Sequence, residues 1–292
     1  GGSTWEFMAR HAANAIATGL IDVAVLSYAS TTRADLKRGV RTSNLSFGMR
    51  DNLQFDSPYG HTLVAKYAMA AQRHMAQYGT TGEQLAEIAV ATRKWAKLNP
   101  KALMKQDLTI DEIMSSPYIC YPLHRADICL VTDAAGAVVV ARADRVKSAR
   151  KAPVWILGTG EASSHHDILG MPDYTTTPVK QAGERAFGRA GIRPEEVDLA
   201  MIYDAFTSMA LVEIEDLGFC KPGEGGAFVS NQRTAPGGDF PMNTNGGGLS
   251  YTHPGMYGIF TIIEATRQLR GECGERQVKD CRLAVTAGPG GF

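Results

Sequence analysis

Several features are missing from this chain, and each absence narrows its function. There is no excess of charge: 30 Lys and Arg balance 30 Asp and Glu over 292 residues. Neither nucleic acid nor an anionic membrane surface is therefore an expected partner. No apolar run approaches the roughly eighteen residues of a membrane-spanning helix. No Cys-x-x-Cys occurs, and the five cysteines (Cys120, Cys129, Cys220, Cys273, Cys281) are scattered and odd in number. A zinc site is not expected, and a reducing, cytoplasmic compartment is the default. There is also no initiator Met. Gly1-Gly-Ser-Thr opens onto a helical pattern, the chain stops at Gly290-Gly-Phe292, and both ends read as cut.

What is present is organised around Asn243-Thr-Asn-Gly-Gly-Gly-Leu-Ser-Tyr-Thr-His-Pro-Gly-Met-Tyr-Gly258. Gly246, Gly247 and Gly248 let the backbone turn or approach a ligand where a β-carbon would clash. Tyr251 and His253 follow with one residue between them. Pro254 suits the first turn of a helix, and Met256 to Ala265 reads as a buried one. His253 is thus expected at a helix N-terminus, where the dipole lowers a histidine pKa and favours an enolate or a carbonyl oxygen.

Elsewhere the pattern alternates helix and strand. Trp5, Met8, Ala9, Ala12, Ala13 and Ile16 recur at helical spacing, and Asp22 to Tyr28 reads as a buried strand. Residues 30–60 form a long polar connection carrying Arg33, Lys37, Arg38, Arg41, Arg50 and Ser57-Pro-Tyr-Gly60, either a solvated face or a phosphate contact. Helices are expected over 61–78 and after the capping boxes Thr81…Gln84 and Thr109…Glu112. Tyr121 to Asp127 reads as a loop. Asp133–Val140 returns to a buried strand, and 147–153 joins two halves. In the second half Val154-Trp-Ile-Leu-Gly158 is expected as a strand, then a helix over 178–190 and a strand over 198–203. Asp204 to Phe206 falls at that strand's C-terminal end, where open α/β sheets place ligands. A helix over 207–217, a glycine-rich loop, a helix over 254–270 and a strand over 281–287 complete the order. Gly1–Ser30 and Gly255–Gly291 share one pattern, the mark of a duplicated fold with paired central helices. His165-His166 and Cys120…His124 have too few companion ligands for a metal site.

These features resemble the thiolase superfamily over most of the chain. Asn243-x-Asn-Gly-Gly-Gly…His253-Pro is similar to its histidine loop, with Thr252 in place of a usual glycine. Tyr203-Asp-Ala-Phe206 is similar to the family's Asn-Glu-Ala-Phe, Leu130-Val-Thr-Asp-Ala-Ala-Gly136 to its Ser-Asp-Gly-Ala-Ala run, and Val285 to Gly290 to its closing Leu-Cys-x-Gly-Gly-Gly. The resemblance implies an α/β thiolase fold of two pseudo-repeated βαβαβαββ halves in five layers (α-β-α-β-α). The N-terminal half would cover 1–150 with a helical loop subdomain at about 29–133, and the C-terminal half 151–292. The front of the first half and a last strand would lie outside this chain, and Gly1-Gly-Ser reads as native sequence.

The departures point to a different chemistry. The family's two catalytic cysteines fall on Gly2 and Thr286, and none of the five cysteines stands at either helix start. An oxyanion site remains, formed by His253 and backbone amides near Gly2 and Gly288, and two tyrosines are gained, Tyr203 and Tyr251. The pattern resembles the lipid-transfer-protein (sterol-carrier-protein) type aldolases of steroid side-chain breakdown, implying retro-aldol cleavage of a β-hydroxyacyl-CoA to a ketone or aldehyde and a shorter acyl-CoA. That reaction needs a base for the β-hydroxyl proton, a site for the enolate and an acid for its carbon, with no covalent step. His253 is the expected donor to the thioester oxygen, Tyr203 and Tyr251 the proton carriers, Asp204 an orienting group and Tyr257 structural. No cofactor is expected beyond the CoA thioester itself. A homodimer and a small OB-fold, zinc-ribbon partner are implied. The alternatives are a thiolase with an unusual nucleophile such as Ser3, and a non-catalytic acyl-CoA carrier.

Overall fold

The computed structural model describes residues 2–39, 62–165 and 168–290. Arg41, Arg50 and Ser57 to Gly60 of the polar connection, together with Gly1, His166 and Phe292, lie outside the described residues.

The centre is built from two helix–strand units. Helix α1 (Thr4–Ala17) leads into β1 (Val23–Ser30), which pairs antiparallel with β4 (Ala134–Ala141), Val23 facing Ala141 and Ser30 facing Ala134. Helix α9 (Gly258–Leu269) leads into β6 (Ala284–Ala287), parallel to β5 (Leu199–Ile202) with Leu199 facing Ala284. Helix α9 packs on β4 on one side and on β5 and β6 on the other, with α1 beside it. The Thr261 hydroxyl on α9 donates to Glu6 Oε1 on α1 at 3.0 Å. The duplicated pattern therefore closes into sheet, paired central helices, sheet, because each apolar helix needs two faces covered.

Strand β5 is buried at every position, as its run of apolar residues requires. Strands β1 and β4 are not, contrary to expectation: their side chains alternate, and Val25 and Val139 are exposed. Continuous apolarity cannot distinguish a strand covered on both faces from one covered on a single face. Val154-Trp-Ile-Leu-Gly158 is also corrected. It runs without strand hydrogen bonding, with Trp155, Ile156 and Leu157 exposed, because a strand requires a ladder partner and none of the described residues provides one. Helix α6 (Val179–Ala190) precedes β5, and α7 (Thr207–Asp216), buried from Thr207 to Glu215, follows it.

Among the described residues, the long insertion between β1 and β4 is largely helical. Helix α2 (Thr32–Lys37) is followed by α3 (Leu63–Tyr78), α4 (Gly82–Lys97) and α5 (Ile110–Met114), then by a hairpin of β2 (Tyr118–Cys120) and β3 (Leu123–His124) where a loop was expected. Both capping boxes form, Thr81 with Gln84 and Thr109 with Glu112. Helix α8 (Gly225–Val229) lies in the glycine-rich loop.

The insertion holds the glycine loop in place. Asn99 Nδ2 donates to the Asn245 carbonyl at 2.7 Å, Arg93 Nε to Ser250 Oγ at 2.8 Å, and the Leu103 and Met104 amides to the Tyr251 and Ser250 carbonyls at 3.2 and 3.0 Å. Gly246 has φ +100°, and a β-carbon there would stand 2.6 Å from Ala96 Cβ on α4. Backbone strain and steric conflict thus act together at this contact. Gly246→Ala is expected to destabilise the fold by about 2 kcal/mol or more, measured as a lower denaturation midpoint in urea.

Candidate active site

Three segments distant in sequence meet at the C-terminal end of β5. Residues 203–206 leave that strand, residues 128–133 run beside them, and the glycine loop covers both. The Cys129 amide donates to the Ala205 carbonyl at 2.9 Å, the Leu130 amide to the Gly248 carbonyl at 2.9 Å and the Thr132 amide to the His253 carbonyl at 3.3 Å.

At their junction the Tyr203 hydroxyl lies 2.7 Å from His253 Nε2. The Tyr257 backbone N–H donates to the same phenol oxygen at 3.1 Å. The buried phenol needs an acceptor for its one proton, and His253 Nε2 is the acceptor within hydrogen-bond distance, so the Nε2 lone pair faces the phenol and the ring N–H sits on Nδ1. Tyr203 therefore donates to His253 while accepting from Tyr257.

Burial sets the protonation states. Loss of water around the ring pushes His253 down to about 4, so the imidazole is neutral near pH 7. Burial, followed by the electrostatic influence of Cys129 and other neighbours, raises the Tyr203 phenol far above its ordinary value and keeps its proton on. The expected helix-dipole effect on His253 is not what the structure displays. Helix α9 begins at Gly258, with Tyr257 as its N-cap, and the N-cap amide donates to Tyr203 rather than to His253. Pro254 lies in a bend before the helix.

Asp204 lies beneath the glycine loop, fully buried. Its carboxylate accepts from the Gly248 amide at 2.6 Å and the Leu249 amide at 3.5 Å. Burial raises it to about 7, against the pull of those amides. A β-carbon on Gly247 would collide with that carboxylate, so Asp204 and the glycine require each other. Asn245 Oδ1 accepts from the Gly247 amide at 2.9 Å and from the Tyr257 hydroxyl at 2.7 Å. Tyr257, read from the sequence as structural, is tied to the site through its amide as well.

Gly2, where the family's first cysteine falls, meets Gly288, the other backbone position expected near the oxyanion: a β-carbon on Gly288 would be 3.4 Å from the Gly2 carbonyl. A β-carbon on Gly2 itself would stand 2.7 Å from the Tyr203 ring and 2.8 Å from the Pro289 carbonyl. The phenol fills the room that a nucleophile's side chain at position 2 would need.

The Tyr251 side chain packs edge-on against Phe260 and lines a small cavity with Glu264, Arg267 and Arg276. It closes the five-residue π-turn Gly247–Tyr251 and makes no hydrogen bond to Tyr203 or His253. Cys129 is the residue that the sequence did not reveal. It lies within electrostatic reach of Tyr203 and Asp204, and burial together with the Asp204 charge pushes its thiol up to about 12. A thiol held protonated is a poor nucleophile. Its place just before Leu130-Val-Thr was the only sequence signal. His124 is occupied by the Ser116 carbonyl at 2.7 Å, and His165 by its neighbour Ser164. Among the described residues no helix is long and apolar enough to cross a membrane.

Residues 160–292 match the family model described as "Thiolase C-terminal domain-like". The chain is 34% identical to a 17-hydroxy-3-oxo-4-pregnene-20-carboxyl-CoA lyase of Mycobacterium tuberculosis, over 96% of this chain and 75% of that protein. It is 35% identical to an acetyl-CoA acetyltransferase of Methanothermobacter thermautotrophicus, over 82% of this chain and 63% of the relative. The chain thus spans under two thirds of one relative's length and three quarters of the other's. Among solved structures, an Ltp2-ChsH2(DUF35) aldolase superposes with a TM-score of 0.86 at 29% identity, covering 98% of this chain and 74% of that one.

The conflict at position 2 is testable. Gly2→Ala is expected to cost roughly 1–3 kcal/mol by overpacking against the ring. Combined with Tyr203→Ala, the two effects should fall well short of their sum in a thermal-denaturation double-mutant cycle.

Proposed function

The chain belongs to the thiolase superfamily, and from that premise we propose that it carries the catalytic centre of a cysteine-independent aldolase that cleaves a β-hydroxyacyl-CoA. The observation that carries this reading is the Tyr203 hydroxyl on the His253 lone pair, standing where a nucleophile's side chain has no room. The named lyase and aldolase relatives support it.

The two groups form a proton relay. The β-hydroxyl proton passes to the Tyr203 oxygen as the phenol's own proton moves to His253 Nε2. The Cα–Cβ bond breaks, its electron pair becomes a thioester enolate, and a ketone or aldehyde leaves. The proton then returns through Tyr203 to the enolate carbon, so nothing is consumed. Backbone amides near Gly2 and Gly288 hold the enolate oxygen. In this arrangement His253 serves as acceptor rather than as the thioester donor expected from the sequence, because Tyr203 already occupies Nε2. Asp204 secures the loop, and Tyr251 takes no part in proton transfer.

The M. tuberculosis relative acts on a steroid CoA thioester by name, which supports a bulky lipid acyl chain here. The structural neighbour's name joins two components, which supports a second, smaller protein as partner. A dimer through the thiolase core completes the proposal. Co-purification and light scattering test both.

Incubating the protein and its partner with a branched β-hydroxyacyl-CoA should release a ketone plus a shortened acyl-CoA, detected by mass spectrometry. Trapping of an acyl-enzyme would instead favour a thiolase. Tyr203→Phe should lower kcat roughly 10²- to 10⁴-fold, whereas Cys129→Ala and Tyr251→Phe should keep activity; a mere carrier would be indifferent to all three. His253 has its pKa depressed in the folded state, so its acceptor is present above about pH 4 and lost as pH falls through that value. The acid limb of kcat/KM should therefore lie near 4 instead of the ordinary 6.5.

A further inference from the structure

His253 sits in a stretch with no regular secondary structure, between the π-turn ending at Tyr251 and the start of α9 at Gly258. A relay that depends on a 2.7 Å contact needs that stretch fixed. The segment after β3 and the first half's β1–α2 region do so. The His253 backbone N–H donates to Thr132 Oγ1 at 2.9 Å, and the Thr132 N–H donates back to the His253 carbonyl at 3.3 Å. The Thr132 hydroxyl is itself paired with Thr252 Oγ1 at 2.7 Å. One residue further on, the Pro254 carbonyl accepts from the Tyr28 hydroxyl at 2.6 Å and from Thr32 Oγ1 at 3.3 Å. Both threonines of the pair are 5% exposed.

Thr252 stands where the histidine loop of the resembled family has a glycine. Its backbone is extended, at φ −162° and ψ 142°, which any residue adopts. Nothing in the backbone calls for glycine, and what threonine adds is a buried hydroxyl aimed at Thr132.

We propose that the Thr132–Thr252 hydroxyl pair is a positioning device that orients the His253 imidazole onto the Tyr203 hydroxyl. This rests on the reading of Tyr203 and His253 as the proton relay. Neither threonine touches the reacting atoms. Thr132 has one hydroxyl proton and two lone pairs, and it spends one lone pair on the His253 amide. The partnership with Thr252 fixes how that hydroxyl is rotated, and hence where the lone pair points. Without either hydroxyl a buried donor or acceptor is left unmatched, and the loop relaxes to satisfy it. A relaxation of about 1 Å at a catalytic group can cost on the order of a hundredfold in rate.

The test uses the full-length protein with any partner it requires, and the variants Thr132→Val, Thr252→Val, Thr252→Gly, Thr132→Ser and Thr252→Ser. Two quantities are read: kcat and KM for the branched β-hydroxyacyl-CoA, and the imidazole ¹⁵N resonances of His253. The Val and Gly variants should lower kcat roughly ten- to a hundredfold with KM unchanged. Their Nε2 resonance should move toward that of an imidazole without a donor on its lone pair. Both Ser variants should restore rate and resonance together. Folded Val or Gly variants with unchanged kcat and unchanged His253 resonances would overturn the proposal, as would Ser variants no better than Val. Should a Val variant fail to fold, Thr252→Gly decides, since the extended backbone there accepts glycine. If the wild-type protein shows no lyase activity but the resonance still moves, the positioning role stands and the aldolase reading falls.

Discussion

The rest of the site depends on one hydrogen bond, donated by a phenol to the lone pair of a buried imidazole. It can form only if His253 is neutral and its N–H points elsewhere. Burial meets the first condition by pushing the imidazole down to about 4, and the buried phenol's need for an acceptor meets the second. The Tyr257 amide at the head of α9 then accounts for the phenol oxygen's remaining role as acceptor. The helix N-terminus thus acts on the Tyr203 oxygen and leaves the histidine uncharged. The two shifts, one resisting proton gain and the other proton loss, hold the pair neutral with the proton on the phenol.

A second constraint is steric. A tyrosine at 203 and a side chain at position 2 compete for the same volume, with a hypothetical β-carbon only 2.7 Å from the ring. Loss of the nucleophile and gain of the phenol are therefore two sides of one packing change. Cys129 does reach the neighbourhood, yet its thiol, held near 12 by burial and by Asp204, lacks the thiolate that acyl transfer requires. The helical insertion contributes at longer range. Helix α4 and the residues after it grip the glycine loop from behind through Arg93 and Asn99, so the insertion stabilises that loop directly.

Much of this was legible in the residues. Glycine stops, capping boxes and apolar periodicity located α3, α4, α6, α7 and β5, because those signals are local and their physics acts within one or two turns. The glycine loop, Tyr203, His253 and Asp204 were legible as motifs. The π-turn Gly247–Tyr251 was not legible, because the sequence gives no sign of its extra winding. Val154 to Gly158 was misread because propensity describes a chain's tolerance for extension and says nothing about the presence of a neighbour.

By itself the sequence determined which chemistry was available: no thiol at either catalytic helix start, a histidine after three glycines, and a tyrosine at the end of a buried strand. These follow from residue identity and local spacing. Tertiary structure alone decided which phenol meets the imidazole, which nitrogen carries the proton, and that Thr132 brackets His253 from a strand-leading segment far away in the chain. Tautomer, protonation state and contact depend on the water excluded and the carbonyls brought near when distant segments pack. None of those quantities is a property of a residue or of its neighbours in sequence.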